Sequence, residues 1–314
     1  KIPHINGIVV GNAQPELYHE TKGLSVFHSE KPRYEAVFEG LEHFGLEWTQ
    51  LPADTRSMSG GIIDLQSINL MEEQKFEGIN KNQLKVIRTG YEKAIETIKK
   101  NITPIGFSAC SLTDNDSNGT DENYRSVWAR DGSIAITGTI HLTHDSEIVE
   151  CQRRTLETLI SNVTPNGQIP SNVRIVDGQP DYSGVGGICS IDSGLWLIIA
   201  FHDFVKESKD LDFLRNHFAT LLRIMDWLSA QDGNNDALLE IPEAGDWTDL
   251  FGRSYNILYD EVLWYRANVC FGRLLELLGN DEKAGDYMRW SLVIKREILL
   301  NFWPTTKNKL YHST

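Results

Sequence analysis

The sequence predicts a mainly α fold in which helical hairpins form a toroid, and three observations support this. From residue 83 onward, apolar residues recur at steps of three and four, the period of helices with one buried face. The helices come in pairs whose members are joined by only about two to four residues, a length that makes them antiparallel neighbours. The pairs begin near residues 133, 193 and 259. This spacing of about sixty residues is typical of repeated helical hairpins.

The first 80 residues are predicted to form a small α+β segment. Short strands are expected at 7–10 and 24–27, and a short helix at 33–44. We therefore expect residues 1–80 to be an N-terminal segment or the end of a preceding domain. Residues 81–314 are expected to form the helical domain.

The helical part begins after this segment, and its elements follow in pairs after one single helix. Gly279 and Asn280 form a helix-stop, helix-start signal between two of them. The segment 195–201 is apolar nearly all round, which predicts a helix buried on every side. An inner ring of such helices inside amphipathic ones favours a closed toroid over an open solenoid. The predicted helices span 83–100, 133–142, 147–160, 193–206, 211–230, 259–278 and 282–300.

Composition excludes several classes of partner. The net charge of −14 and the pI of about 5.1 argue against binding to nucleic acid or to an anionic membrane. No apolar run is long enough to span a bilayer. The four cysteines lie far apart, which is typical of reduced thiols. We therefore expect a cytoplasmic protein with no nucleic-acid partner and no membrane partner.

The stretch 232–267 combines acidic and aromatic residues in an unusual way. Flat rings cover the apolar faces of a pyranose and paired carboxyls act on a glycosidic bond, so this mixture predicts a sugar site. The alternative is an ordered loop whose acids cap helices and whose aromatic residues fill the core. The acids are Glu240, Glu243, Asp246 and Asp249, and the aromatic residues are Trp247, Phe251, Tyr255, Trp264 and Tyr265.

Neither a metal nor an organic cofactor is predicted. Ala237 replaces the glycine that a calcium loop needs, although four nearby residues have calcium-loop spacing. His141 and His144 lack a third ligand. The glycine-rich segment 184–187 does not follow a strand, so it is no dinucleotide fingerprint. The four residues with calcium-loop spacing are Asp232, Asn234, Asp236 and Glu243.

Two of the candidate acids also have purely structural explanations. Arg130 and Asp131 could form a buried ion pair, because the guanidinium fork matches a carboxylate. Asp192 could cap the helix that begins at Ser193.

Four motifs in the long loops resemble those of the (α/α)6-barrel glycoside hydrolases. They resemble in particular the glucosidase domain of glycogen debranching enzymes and the neutral/alkaline invertases. The similarity extends over about residues 83 to 300. The segment DGNNDALLEIPEAGDWTDLFGR (232–253) resembles the debranching-type loop, in which a D-G-D-G-L-I-E segment precedes a W-x-D. The motifs are VWARDG (127–132), GQIPSN (167–172), CSIDSGLW (189–196) and EAGDWTDLFGR (243–253).

The resemblance implies roles for particular residues. Asp249 matches the W-x-D carboxylate that serves as general acid, and Asp192 matches the aspartate that invertases place at the catalytic centre. Asp246 is a rival for the acid role, because the run from Gly245 to Trp247 departs from both patterns. The residues expected to bind substrate are Trp128, Arg130, Asp131, Gln168, Trp196, Glu243, Trp247, Arg253 and Tyr255.

The resemblance also implies an (α/α)6 toroid of six hairpins. The sequence has three hairpins and one extra helix, so we expect the toroid to be incomplete in this chain. The catalytic base is then expected beyond Thr314.

The function expected from these features is that of an inverting glycosidase acting on an α-glucoside or a sucrose-like sugar. The alternatives are a non-catalytic glycan-binding protein on the same barrel and a helical-repeat scaffold for protein partners. Short turns fix one end of each hairpin, so the long loops at 101–132, 161–192 and 231–258 should meet at the other end.

Overall fold

The chain divides into two compact units, Lys1–Gly61 and Ile62–Thr314. The computed structural model describes residues 7–9, 26–28, 81–111, 124–183, 187, 189–248 and 252–302.

In the first unit, the described residues form strands β1 (Gly7–Val9) and β2 (Val26–His28), which pair in parallel. Both lie close to the predicted strands. The helix predicted at 33–44 lies outside the described residues, and the domain boundary near residue 80 stays a prediction.

The second unit is mainly helical, which confirms the predicted fold class. A single helix comes first, and three pairs of helices follow it. None of the helices in the described part of the chain is both long and apolar enough to cross a membrane. The helices are α1 (Lys81–Lys99), α2 (Ala129–Thr139), α3 (Ser146–Ser161), α4 (Asp192–Ser208), α5 (Leu211–Ser229), α6 (Leu258–Leu277) and α7 (Asp281–Phe302).

The hairpins α2–α3, α4–α5 and α6–α7 pack side by side. Helix α2 packs against α4, and α4 packs against α6, so these three form an inner row. Helix α4 is apolar nearly all round because it is enclosed by neighbours, and Leu195, Leu197 and Ile198 are fully buried. This inner row of helices, each followed by an outer partner, is the arrangement of part of an (α/α)6 toroid.

The short turns within the hairpins are built from helix caps. The Asp145 carboxylate accepts a hydrogen bond from the Ile148 amide at 3.3 Å, and the Asp210 carboxylate accepts one from the Phe213 amide at 2.8 Å. Gly279 ends the α6 side of its turn with a φ of 74°, the left-handed conformation that favours glycine. Caps fix where each helix ends, so they hold the hairpins in register.

Two small antiparallel sheets in the second unit were not predicted from the sequence. Strands β3 (Ile102–Thr103) and β4 (Gly106–Phe107) form a tight hairpin. Strand β5 (Ser126–Trp128) pairs with β6 (Asn172–Arg174), which pairs with β7 (Pro180–Asp181). Strands of two or three residues are too short to show the alternation by which strands are recognised.

The predicted bounds of the first inner helix were wrong. Helix α2 begins at Ala129 and ends at Thr139, whereas the sequence predicted 133–142. Gly132 had been interpreted as part of a loop, but it lies buried in the first turn, where an added Cβ would lie 2.7 Å from Thr155 Cγ2. Arg130 and Asp131 are therefore held on a rigid helix end.

Candidate active site

The first turns of the three inner helices meet at one end of the helix row. Arg130 lies in the first turn of α2, Asp192 is the first residue of α4, and Tyr259 is the second residue of α6. Both Arg130 and Tyr259 contact the Asp192 carboxylate. The loops before these helices are therefore brought to the same end, as the connection lengths predicted.

The Asp192 carboxylate is the centre of this contact. Its Oδ2 accepts hydrogen bonds from Arg130 Nη1 at 2.8 Å and from the Tyr259 hydroxyl at 3.1 Å. Its Oδ1 accepts one from the Ser190 hydroxyl at 2.5 Å. The side chain is fully buried, so its charge is balanced by the guanidinium and not by solvent.

The capping interpretation of Asp192 was wrong. The N-cap of α4 is Ile191, and the Asp192 side chain makes no capping hydrogen bond, because all its described partners lie on other elements or before the helix. The main partner of Arg130 is Asp192, at 2.8 Å from its Nη1. The expected pair with Asp131 is longer, with 4.0 Å between Arg130 Nε and the carboxylate. Burial lowers the pKa of the Arg130 guanidinium, but the neighbouring Asp192 more than offsets this and raises the pKa above its usual value.

A chain of hydrogen bonds runs from Trp196 to Asp192. The Trp196 indole donates to the Tyr259 hydroxyl at 2.8 Å, and this hydroxyl donates to Asp192. Burial, together with the charge on Asp192, raises the pKa of Tyr259 far above its usual value. The hydroxyl therefore remains a neutral donor. The Trp247 ring meets the Tyr259 ring edge-on, with 6.3 Å between their centroids.

A second buried carboxylate, Asp246, is held on the loop before α6. Its Oδ1 accepts from the amide of Thr248 at 2.7 Å and from the hydroxyl of the same residue at 2.6 Å, and its Oδ2 pairs with Arg253. The Arg253 guanidinium lies 5.8 Å from the centroid of the Trp247 ring, a cation–π contact. This loop joins the one before α4, because the Ile191 amide donates to the Gly245 carbonyl at 2.9 Å.

Trp247 is a large apolar side chain that this assembly presents to solvent, with 51% of its surface exposed. Asp131 is also exposed, with 45% of its side-chain surface accessible. Asp192 and Asp246, in contrast, are 0% and 1% exposed. The structure thus separates exposed groups that can touch a ligand from buried acids that hold them.

Other predicted binding residues lie near this assembly or outside it. Trp128 ends β5 and is 8% exposed, immediately before α2. The Gln168 amide donates to the Cys189 sulfur at 3.1 Å, three residues before Asp192. Burial raises the pKa of the Cys189 thiol to about 11, so it stays protonated.

Glu243 and Tyr255 are exposed on the loop before α6. Backbone hydrogen bonds between Tyr255 and Ile241 close this loop, at 2.7 and 2.9 Å. The Tyr255 hydroxyl accepts from the Asn234 side chain at 2.9 Å. The candidate acid Asp249 lies outside the described residues.

Three acids before this loop converge in a tight turn. Oxygen atoms of Asp232, Asp236 and Glu240 lie within 4.8 Å of one another. Ala237 adopts a φ of 74°, the left-handed conformation that favours glycine. The turn therefore forms although this position is not a glycine. Asp232 accepts from the amides of Asp236 and Ala237, both at 3.0 Å. Glu240 accepts from the Gly233 amide. These acids stabilise the turn itself, and the absence of a metal stays a prediction.

The sequence did not single out Ser190, Tyr259 or Asp260. Tyr259 and Asp260 lie in the acidic and aromatic stretch 232–267, but the sequence predicts them only as the start of the helix at 259–278. Their position is the signal that was available: each inner helix carries an acidic residue in its first turn, and all three first turns meet.

A cavity of about 600 Å³ lies beside the β6–β7 hairpin. Its lining includes Arg174, Tyr182 and Cys189, and none of the candidate acids. Cys189, which lines the cavity, lies three residues before Asp192 in the chain.

Part of the chain matches a model of a known protein family. Residues 117–235 match the family model described as amylo-alpha-1,6-glucosidase. The segment is less than half of the chain and includes Arg130 and Asp192. It ends before Asp246. The match confirms the resemblance to debranching-type glucosidase domains over this segment.

One solved structure that resembles the chain is a rhamnosidase from Klebsiella oxytoca with rhamnose bound. The TM-score is 0.47 and the sequence identity is 14%. The match covers 58% of this chain and 34% of the rhamnosidase, so the chain spans about a third of that protein's length. No curated protein matches the chain.

Proposed function

On the premise that residues 117–235 are of the amylo-alpha-1,6-glucosidase type, we propose that the protein is a glycoside hydrolase. Its proposed substrate is an α-linked glucoside or a sucrose-like sugar, and the proposed mechanism is hydrolysis with inversion. The observation that carries the proposal is the joining of three inner-helix ends by Arg130, Asp192 and Tyr259 beneath the exposed Trp247.

The substrate is proposed to lie against Trp247. A flat aromatic face covers the apolar side of a pyranose, and Trp247 is both exposed and braced by Arg253 and Tyr259. Asp131 is the exposed acid proposed to bind sugar hydroxyls. Trp128, Trp196, Gln168, Glu243 and Tyr255 are proposed to border the substrate or support the residues that do.

The buried aspartates are proposed to fix the geometry of the site. Asp192 holds Arg130 and Tyr259 in place, and Asp246 holds Arg253 beside Trp247. Pre-oriented groups of this kind lower a barrier because they need not rearrange during the reaction. Their bonds support a structural role for Asp192, which matches the family pattern, and for Asp246, the rival candidate for the acid.

Asp249 is proposed as the general acid, because it occupies the W-x-D position two residues after Trp247. An inverting enzyme also needs a carboxylate base about 6.5–9.5 Å from the acid, which leaves room for the attacking water. The proposed reaction protonates the glycosidic oxygen while water attacks the opposite face of the sugar.

The test is hydrolysis of a panel of α-glucosides and sucrose by the wild type and by Asp249→Asn. Loss of a general acid is expected to lower kcat by about 10²- to 10⁴-fold. The matched control is Asp212→Asn on the exposed surface of α5, which should retain wild-type rates. The anomeric form of the first product, followed by NMR, tests inversion.

Wild-type rates in Asp249→Asn would overturn the acid assignment. Sugar binding measured by calorimetry, without hydrolysis of any substrate in the panel, would instead support the glycan-binding alternative.

A further inference from the structure

Asp260 is a buried carboxyl that no role described above uses. It lies in the first turn of α6, is 0% exposed, and neither of its carboxyl oxygens has a hydrogen-bond partner in the described structure. Its neighbours in sequence are paired: Tyr259 donates to Asp192, and Glu261 accepts from the Leu239 amide at 3.0 and 3.1 Å. Most buried polar groups in proteins have partners, so Asp260 requires an explanation.

The surroundings of Asp260 favour its neutral form. Burial raises the pKa of Asp260 well above its usual value, and the nearby carboxyls of Asp192, Asp246 and Glu261 raise it further. Arg253 acts in the opposite direction. A neutral carboxyl has one O–H donor and an acceptor oxygen, so it can bind a water molecule in two ways.

A second unpaired group lies on the same face of α6. Trp264 is four residues after Asp260, and side chains at this spacing lie one above the other on a helix. Trp264 is 1% exposed, and its indole Nε1 has no hydrogen-bond acceptor among the residues described. A buried water typically makes about three hydrogen bonds to such unpaired groups. The indole N–H, the carboxyl O–H and the carboxyl acceptor oxygen would together make these three hydrogen bonds.

We propose that Asp260 is a positioning residue of the proposed glycosidase site: with Trp264 it binds one internal water molecule, and as an uncharged group it leaves Arg253 paired with Asp246. The assignment rests on the proposed function. Arg253 links Asp260 to the proposed substrate-binding surface, because it pairs with Asp246 and lies against the exposed Trp247 ring. A charged Asp260 would compete for this guanidinium and so displace the support of Trp247.

The first experiment measures kcat and KM for glucoside hydrolysis against pH in the wild type, Asp260→Asn and Asp260→Leu. At neutral pH, Asp260→Leu is expected to lower kcat by about 10- to 100-fold, the cost of slightly misplaced groups. Asp260→Asn, a neutral donor and acceptor of the same shape, should restore most of this loss. The wild type should lose activity as pH rises and Asp260 ionises, and Asp260→Asn should lack that loss.

Three outcomes of this experiment overturn the assignment. An inactive Asp260→Asn would make Asp260 a proton donor, not a positioning residue. Wild-type kcat in Asp260→Leu would mean that Asp260 does not position the site. If Asp260→Asn lost activity with rising pH just as the wild type does, the loss would belong to another titrating group.

The second experiment does not depend on activity. A carboxyl whose pKa is raised by folding destabilises the folded state as pH rises from its unfolded value towards its folded value. Urea unfolding is therefore expected to show Asp260→Asn gaining stability relative to wild type as pH rises above about 4. The matched control is Glu261→Gln, because the pKa of Glu261 is raised by burial to about 9 and this group titrates nearby. The control should keep most of the pH dependence that belongs to Asp260, because burial, Asp192 and Asp246 each raise its pKa more than Glu261 does.

The unfolding data separate the two proposals. If the stability difference between Asp260→Asn and wild type does not vary with pH, the neutral-carboxyl assignment fails. If it varies as expected but the wild type hydrolyses no glycoside, the proposed function fails and the assignment of a neutral Asp260 stands.

The shared water has its own test in unfolding measurements. Asp260→Leu combined with Trp264→Phe should cost less stability than the sum of the two single substitutions, because both lose the same water. Strictly additive costs would exclude a water bound by both side chains.

Discussion

The protein uses arginine–aspartate pairs in two regions, and they do different things. At the ends of the inner helices, Arg130–Asp192 joins two helices and Arg253–Asp246 closes a loop, both with fully buried carboxylates. On the outer helix α5, the Arg215–Asp212 pair links residues three apart, with 59% and 86% of its side chains exposed. The same chemical pair therefore joins separate elements of the tertiary structure in one region and links neighbours on an exposed helix surface in the other.

The difference follows from solvent. An exposed pair exchanges one set of water contacts for a weak attraction, so it contributes little. A buried pair has already lost its water, and removing one partner leaves an uncompensated charge in the interior. Substitutions at the two regions should therefore differ far more than the distances do, since the N–O separations are 2.8 Å for Arg130–Asp192 and 2.7 Å for Arg215–Asp212.

The largest effect is expected for Asp192→Asn. It removes the nearer counter-charge of the mostly buried Arg130 guanidinium and leaves only Asp131, 4.0 Å from its Nε. This should lower the free energy of unfolding by roughly 3–5 kcal/mol. Urea denaturation followed by circular dichroism measures this. Replacing both partners, as Arg130→Met with Asp192→Leu, should recover much of the loss. A loss below about 1 kcal/mol for the single substitution would mean that the pair is solvated in solution.

A smaller effect is expected for Tyr259→Phe. The phenyl ring keeps the packing against Trp247, but the Trp196 indole loses its acceptor and Asp192 loses a donor. Leaving a buried group unpaired typically costs about 1–3 kcal/mol, and thermal and urea unfolding should show a loss of this size. Stability equal to wild type would indicate that water replaces the hydroxyl.

The smallest effect is expected for Asp212→Asn. Its partner Arg215 stays in water, so the unfolding midpoint should remain within experimental error of wild type. A clear destabilisation would contradict the contrast between the two regions, because it would give an exposed local pair the weight of a buried one.

Periodicity predicted the hairpins because each helix carries its own apolar repeat, which is a local property of the chain. Motif resemblance predicted Asp192, but the partners of that residue could not be predicted the same way. Tyr259 and Ser190 become important only once α6 and the loop before α4 reach the same place. Asp260 could not be predicted for a related reason, since an acid in the first turn of a helix ordinarily interacts with the helix dipole. Here burial near three other acids, Asp192, Asp246 and Glu261, favours the neutral carboxyl instead.

The hydrogen-bond chain through Tyr259 has a fixed direction, because an indole N–H can donate but cannot accept. The Tyr259 oxygen must accept from Trp196, so its own proton is directed to Asp192. An electronic change at Asp192 is therefore transmitted to a natural fluorophore on the next turn of α4. With the other tryptophans replaced by phenylalanine, the fluorescence emission of Trp196 would report changes in the charge of the Asp192 carboxylate.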